Sequence, residues 1–147
     1  MYTHILIPTD GSELAQKGVD HGLSLAKALG SKVTIVTATE TFPVPTGGAG
    51  WLVTPQDIAG YLADCKKAAD DLLAPVKAAA DKMGIEATAI HVPDSRAATA
   101  ILETARKAGC NLIVMSTHGR RGMTRMLLGS QASEVLAGSQ VPVLLVK

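Results

Sequence analysis

The chain has 147 residues, of which 47% are hydrophobic and 18% charged, with a formal net charge of +1. This composition is typical of a globular protein, excludes a disordered chain, and predicts a single domain over residues 1–147. The near-neutral charge and the low aromatic content of 3% give no basic surface or stacking platform, so we expect no nucleic-acid partner.

The sequence also argues against export and membrane insertion. It has no apolar run near the roughly 20 residues that a membrane span needs, and no basic segment followed by an apolar one at its N-terminus. We therefore expect a cytoplasmic protein without a membrane partner. Cys65 and Cys110 are far apart in the sequence, so both are expected to be reduced thiols that serve most simply as small apolar residues.

The first half of the chain alternates strand and helix patterns. Residues 5–7 form an apolar strand that Pro8 ends, and the following turn offers Asp10 or Ser12 as the cap of a helix over 13–29. A β-branched strand covers 32–38, and a long Pro- and Gly-rich loop follows it over 41–54. Such a loop either covers a site or is a simple insertion.

A long helical pattern begins at Pro55 and ends before Gly84, with Pro75 inside it predicting a kink or a break into two helices. Its apolar stripe, which we expect to face inward, comprises Ile58, Leu62, Cys65, Ala69, Leu72, Val76, Ala80 and Met83. A third strand over 85–92 alternates in part, which favours a position near a sheet edge. A helix over 97–108 follows.

The last third contains the most informative stretch, a glycine-punctuated loop over 115–130 between a strand at 111–115 and a helix at 130–137. This order directs backbone N–H groups and a helix N-terminus at one point, where an anion is favoured. Gly119 and Gly122 permit close approach of a ligand, and Ser130 can cap the helix or bind a phosphate. The loop also contains Arg120, Arg121 and Arg125. We interpret it as a phosphate-binding loop; the alternative is a surface loop with solvated arginines.

Five strands, the last over 141–146, alternate with helices and predict a doubly wound α/β fold with a parallel sheet covered on both faces. Ligands of such sheets bind at the carboxyl ends of the strands, where the strand order reverses. If the first and fourth strands are neighbours, the turn at 9–12 and the loop at 116–130 line one crevice.

Three segments resemble the universal stress protein family: ILIPTDGS at 5–12, NLIVMSTHGRRG at 111–122 followed by LGS at 128–130, and VPVLLV at 141–146. The resemblance implies a Rossmann-like fold similar to adenine nucleotide hydrolases. The ATP-binding branch of that family carries G-x2-G-x9-G-[ST]. Gly119, Gly129 and Ser130 match this pattern, whereas Ser116 stands where the first glycine is usual.

The resemblance also implies roles for particular residues. Asp10 would accept a hydrogen bond from adenine or ribose, the backbone of Ala38 would lie at the adenine edge, and the loop glycines with Ser130 would hold the phosphates. The full implied nucleotide site is Pro8, Thr9, Asp10, Ala38, Ser116, His118, Gly119, Arg120, Gly122, Gly129, Ser130 and Gln131.

The implied ligand is ATP or another adenine nucleotide, with Mg²⁺ or Mn²⁺ held by the phosphates rather than by a protein metal site. His118 is interpreted as a loop histidine that bonds to backbone rather than as a catalytic base. The apolar strand over 141–146 would lie at a sheet edge, and the resemblance implies a homodimer through it.

Three functions remain in competition. The favoured one is an ATP-binding stress-response and regulatory dimer, since the loop supplies donors but no recognisable water-positioning residue. The second is an enzyme with slow ATP hydrolysis or adenylate chemistry. The third is a nucleotide-free interaction module, which Ser116 keeps open.

Overall fold

The computed structural model describes residues 1–43, 52–118 and 128–147. These residues form five strands and four helices that alternate along the chain. In order, they are β1 His4–Pro8, α1 Glu13–Leu29, β2 Lys32–Ala38, α2 Pro55–Lys82, β3 Ala87–Val92, α3 Ala97–Ala108, β4 Leu112–Ser116, α4 Ser130–Gly138 and β5 Val143–Val146. Every element expected from the sequence is therefore present, and each predicted strand or helix end lies within two residues of the observed one.

The strands form one parallel sheet in the order β3-β2-β1-β4-β5. Strands β2 and β3 lie on one side of β1, and β4 and β5 lie on its other side. The strand order therefore reverses between β1 and β4. Strands β1 and β4 are neighbours, which meets the condition under which the loops that follow them line one crevice, and the predicted edge positions of β3 and β5 are confirmed. The switch point places the turn after β1 beside the end of β4.

Both faces of the sheet are covered by helices, which confirms the doubly wound architecture. On one face, α1 and α2 pack over β1 and β2 through a cluster that includes Val19, Leu23 and Leu73. On the other face, α3 and α4 pack through Ile101 and Val135. The cores are aliphatic because the chain has few aromatic residues. Within the described ranges, no helix is long and apolar enough to cross a bilayer.

Helix α2 is continuous through Pro75, so the predicted break into two helices is wrong. A proline inside a helix removes one hydrogen bond, but tertiary packing can offset that loss. Here Leu73, Val76 and Ala80 are buried against the sheet on both sides of Pro75. The N-terminus of the helix is fixed by a capping box in which Thr54 and Asp57 bond reciprocally.

The N-terminal half of α2 extends past the sheet. With 28 residues, the helix is about 42 Å long, whereas strands of five to seven residues span only about 17–23 Å. The expectation that Ile58 and Leu62 face inward is therefore wrong: their exposed fractions are 41% and 43%. This half of α2 instead stands beside the carboxyl ends of the strands.

Candidate functional site

A cavity of about 630 Å³ lies over the carboxyl ends of β1, β2 and β4, at the switch point of the sheet. Its size is within the usual range of small-molecule sites. The base is formed by the strand ends and the N-terminus of α4, and the walls by α2 and α3. The residues used below are Pro8, Thr9, Asp10, Ala38, Glu40, Tyr61, Cys65, Ser116, Thr117, His118, Gly129, Ser130 and Gln131, all of which line the cavity.

The turn after β1 is held by a dense set of hydrogen bonds. The buried Thr9 donates its N–H to the carbonyl of Val36 at 2.9 Å, and the Oδ1 of Asp10 accepts from the N–H of Ser12 at 2.9 Å. Ser12 in turn caps α1 by accepting from the N–H of Ala15 at 3.1 Å. The helix cap is therefore Ser12 and not Asp10, whose carboxylate lies at the cavity instead.

Gly11 is favoured in this turn by its backbone conformation, and it lies close to α2. Its φ of +79° is in the left-handed region, and a Cβ there would lie 2.8 Å from Cδ1 of Leu72 on α2. The turn and α2 therefore pack in direct contact. This contact fixes where the cavity wall stands relative to Asp10.

Ser116, at the position where the family pattern has glycine, is the last residue of β4 and is 9% exposed. Its backbone is extended, since the one non-glycine residue with positive φ in the described ranges is Asp94. Its hydroxyl donates to the carbonyl of His118 at 2.6 Å. Helix α1 approaches β4 closely at this point, as shown by Gly18, where an added Cβ would lie 2.8 Å from the Ser116 nitrogen. Serine is thus accommodated, and its hydroxyl holds the first turn of the following loop.

The start of α4 is joined directly to the end of β4. Gly129 is the N-cap, and its N–H donates to the carbonyl of Thr117 at 2.8 Å. A Cβ on Gly129 would also lie 2.8 Å from that carbonyl oxygen, so glycine is needed for close approach rather than for a positive φ. Ser130 is the first helical residue, so the prediction that it caps α4 is wrong. The N-terminus of α4, with its positive dipole end, lies at the cavity.

Gln131 has a structural role that the sequence analysis missed. Its Oε1 accepts the N–H of Ala98 at 2.9 Å and so caps α3, whose own N-cap residue Arg96 makes no side-chain cap bond. Arg96 instead pairs with Glu134 of α4 at 2.6 Å. The two helices are thereby joined beside the cavity. No local pattern could have shown this contact, since the capping residue is 33 positions away in the chain.

The imidazole of His118 lies at the cavity with its Nδ1 3.1 Å from the hydroxyl oxygen of Thr117. This contact is with a side chain, and the bond to backbone that the sequence predicted for His118 stays a prediction. The carbonyl of the same residue accepts from Ser116, so His118 is held at the point where the loop leaves β4.

Most of the predicted site residues converge on this one cavity. Those that line it are Pro8, Thr9, Asp10, Ala38, Ser116, His118, Gly129, Ser130 and Gln131. Gly119, Arg120 and Gly122 lie outside the described residues, as does the middle of the 41–54 loop. The sequence analysis missed Glu40 and Tyr61 and gave Cys65 no role at the site. A sequence signal for Tyr61 and Cys65 does exist. Together with Ala68 and Leu72 they recur at spacings of three and four residues, which places all four on one face of α2.

Among the described residues, the cavity is lined by two carboxylates, Asp10 and Glu40, by the imidazole of His118, and by no lysine or arginine. Its donors there are backbone N–H groups and hydroxyls. Interaction with the side chain of Cys65 raises the pKa of the Tyr61 phenol further above its ordinary value, at which it is already protonated at neutral pH. In the same residues, no three His, Cys, Asp or Glu side chains are grouped as metal ligands.

These features define a doubly wound α/β protein with a ligand cavity at its switch point. The family model for universal stress proteins matches residues 1–147, and the chain therefore belongs to the universal stress protein family. Universal stress protein MJ0531 from Methanocaldococcus jannaschii is 32% identical over 152 residues, which cover 100% of this chain and 83% of that relative.

Solved structures support the fold. The hypothetical protein MJ0577 from M. jannaschii superposes with a TM-score of 0.83 at 24% identity, covering 100% of this chain and 96% of that one. A universal stress protein in complex with cAMP gives 0.68 at 22% identity, with 99% and 97% covered. A universal stress protein from Archaeoglobus fulgidus in complex with dAMP gives 0.62 at 20% identity, with 99% and 98% covered.

Proposed function

We propose that this chain binds ATP or a closely related adenine nucleotide in the switch-point cavity and acts as a stress-response regulatory protein. The observation that carries the proposal is the placement of a carboxylate and a helix N-terminus on two sides of one cavity. Asp10 lies on the β1 side, and the N-terminus of α4, beginning at Gly129, lies on the β4 side. The carboxylate suits ribose or adenine donors, and the helix end suits phosphate.

The residues present fit a nucleotide. The close contact between Gly129 and Thr117 brings the first N–H groups of α4 to the end of β4, where a phosphate would accept from them. Ser130, which is not the cap, would add its hydroxyl there. The apolar walls, which include Ala100 and Ile101 of α3, would receive the base. Relatives of the same fold in complex with cAMP and with dAMP support adenine as the base.

Gly119, Arg120 and Gly122 are proposed to complete the phosphate site, with Mg²⁺ or Mn²⁺ held by the phosphates. Binding rather than turnover is the proposed activity. Phosphoryl transfer needs a group that positions the nucleophile against the γ-phosphate. In the described part of the cavity, the carboxylates are those of Asp10, after β1, and Glu40, after β2, and the sequence identifies neither as a group that positions a nucleophile.

We further propose a cytoplasmic homodimer that pairs through β5. This strand is at the edge of the sheet, and Leu144 is 43% exposed on it. An apolar edge strand offers unpaired backbone groups to a second copy. Val143 and Leu145 pack against the core instead, so Leu144 is the residue through which to test the contact.

The test of nucleotide binding is thermal unfolding of nucleotide-stripped protein with ATP, ADP, AMP and GTP, each with Mg²⁺. A ligand that binds only the folded state at 100 times its Kd adds about 2.7 kcal/mol to the free energy of unfolding. For a chain of this size, we expect ATP to raise the melting temperature by roughly 5–10 °C. An unchanged melting temperature with every adenine nucleotide would refute the proposal and favour the nucleotide-free interaction module.

A further inference from the structure

The overhanging N-terminal half of α2 forms one wall of the cavity. From Pro55 to Ala68, its side chains are exposed except at Tyr61 and Cys65. Both of these residues line the cavity, and Ala68, Ala69 and Leu72 continue the same face toward the sheet. Tyr61 and Cys65 are four positions apart and so lie one above the other on the helix. The part of α2 that leaves the sheet therefore turns an aromatic ring and a thiol toward the ligand space.

Tyr61 is held in place by two contacts with the segment that follows β2. Its hydroxyl donates to the carbonyl of Glu40 at 3.2 Å. Its ring packs edge-on against Phe42, with centroids 5.1 Å apart and an interplanar angle of 88°. The perpendicular packing against Phe42 and the hydroxyl bond to Glu40 together restrict the orientation of the ring. Tyr61 is thus a positioned ring at the β2 end of the cavity, held by Glu40, which lies two residues beyond Ala38.

The two ends of the cavity differ in chemistry. The N-terminus of α4 and the end of β4 supply N–H groups and hydroxyls, whereas the β2 end is bounded by Ala38, Tyr61 and Cys65. β2 and β4 are separated by β1, so their ends are about 10 Å apart. A ligand with a phosphate at α4 therefore extends its other end toward Tyr61.

We propose that Tyr61 is the stacking residue for the nucleobase and makes the site selective for ligands with a flat aromatic group at the end opposite the phosphate. The inference rests on the proposed nucleotide site and assigns it a specificity-determining residue on α2. The ring supplies the face, and the bond to Glu40 with the contact to Phe42 fixes its position. Cys65, one turn further along, lies beside the bound base.

The affinity test compares three variants by calorimetric titration with ATP and Mg²⁺. Removal of an aromatic stacking partner typically weakens base binding by about fivefold or more, so Tyr61→Ala should raise the Kd about tenfold. Tyr61→Phe keeps the ring and should stay within about threefold of the parent. Leu62→Ala is the matched control, since it truncates the neighbouring, exposed side chain that does not line the cavity. Equal affinity for Tyr61→Ala and Leu62→Ala would overturn the inference.

A second readout does not depend on affinity. Cys110 is 5% exposed, so alkylation of the folded protein by a maleimide should label Cys65 first, and Cys65→Ser should remove that signal. Saturating ATP should slow labelling of Cys65 at least fivefold, whereas saturating inorganic phosphate should not. If ATP binds but leaves Cys65 labelling unchanged, the base does not lie at α2 and the inference fails alone. If the parent protein binds no adenine nucleotide, the proposed function fails and this inference with it.

Discussion

Replacement of Gly129 by alanine tests the junction on which the proposed phosphate end depends. The new Cβ would lie 2.8 Å from the Thr117 carbonyl oxygen, roughly 0.6 Å inside the 3.4 Å at which ordinary contacts begin. The clash is with a backbone atom that is held in place, because the same carbonyl accepts the N–H of Gly129 at 2.8 Å. The first turn of α4 must therefore move away from the end of β4.

Overpacking of this kind typically costs about 1–3 kcal/mol. For Gly129→Ala, we expect the melting temperature to fall by about 3–10 °C. Displacement of the α4 N-terminus should also weaken ATP binding about tenfold or more, as measured by titration below the melting range. Gly60→Ala is the matched control, because a Cβ there meets nothing within 4 Å on α2. The control should be neutral or gain about 0.5–1 kcal/mol from helix propensity.

The result that would refute this reasoning is a Gly129→Ala protein that melts and binds ATP like the parent. It would mean that the α4 N-terminus does not contribute to the site. A variant that loses stability but keeps full ATP affinity would separate packing from binding and place the phosphates elsewhere in the cavity.

Three further predictions concern the dimer, the helix cap and pH. Leu144→Glu should convert the dimer to a monomer, as measured by light scattering. The control is Leu29→Glu, which changes a similarly exposed leucine at the end of α1 and should leave the dimer intact. An unchanged dimer for Leu144→Glu would exclude β5 as the interface. Gln131→Ala removes the side-chain cap of α3 and should lower the free energy of unfolding by about 0.5–2 kcal/mol. ATP affinity should be retained, because the backbone N–H of residue 131 remains. An unchanged denaturation midpoint would show that the cap contributes nothing to stability. Burial lowers the pKa of His4 and of His91 below the usual 6.5, so the folded protein binds protons less readily than the unfolded chain, and its stability should fall as the pH drops below about 6.5. The loss of stability should be smaller in the double variant His4→Gln/His91→Gln. Equal melting temperatures of the parent protein at pH 7.5 and pH 5.5 would contradict the lowered pKa values of these two histidines.

The alternation of strands and helices was predictable because it depends on local pattern. The stripe of α1 carries a helical period, and the run at 32–38 is rich in β-branched residues. The apolar run at 5–7 favours a strand by its short length and by the Pro8 that ends it. Part of the strand order was also predictable from the sequence. Partial alternation placed β3 at an edge, and the segment resemblance placed the loops after β1 and β4 at one crevice.

The parts that the sequence could not predict depend on contacts between distant residues. The apolar stripe of α2 continues to Ile58, but the sheet beneath it ends sooner, so periodicity alone assigned an exposed residue to the core. Pro75 predicted a break because its cost is local, whereas the packing of Leu73 and Val76 that offsets it is not. The capping of α3 by Gln131 depends on how α3 and α4 pack together, which has no sequence signal.

Ser116 shows how a departure from a motif is decided by geometry. A serine in place of glycine would be harmful only where a positive φ or a close backbone approach is needed. The backbone of Ser116 is extended, and the close approach of α1 is provided by Gly18 instead. The pattern alone could not separate these cases. By the same criterion, Gly129 is a position of the family pattern where the fold does need glycine, because a Cβ there would lie 2.8 Å from the carbonyl oxygen of Thr117.

Calorimetric titration of nucleotide-stripped protein with ATP and Mg²⁺ decides whether the switch-point cavity is an adenine-nucleotide site. We expect saturable binding of one ATP per chain, with an affinity that falls about tenfold or more in Gly129→Ala. The absence of saturable binding by a folded parent protein would show that the cavity is not such a site.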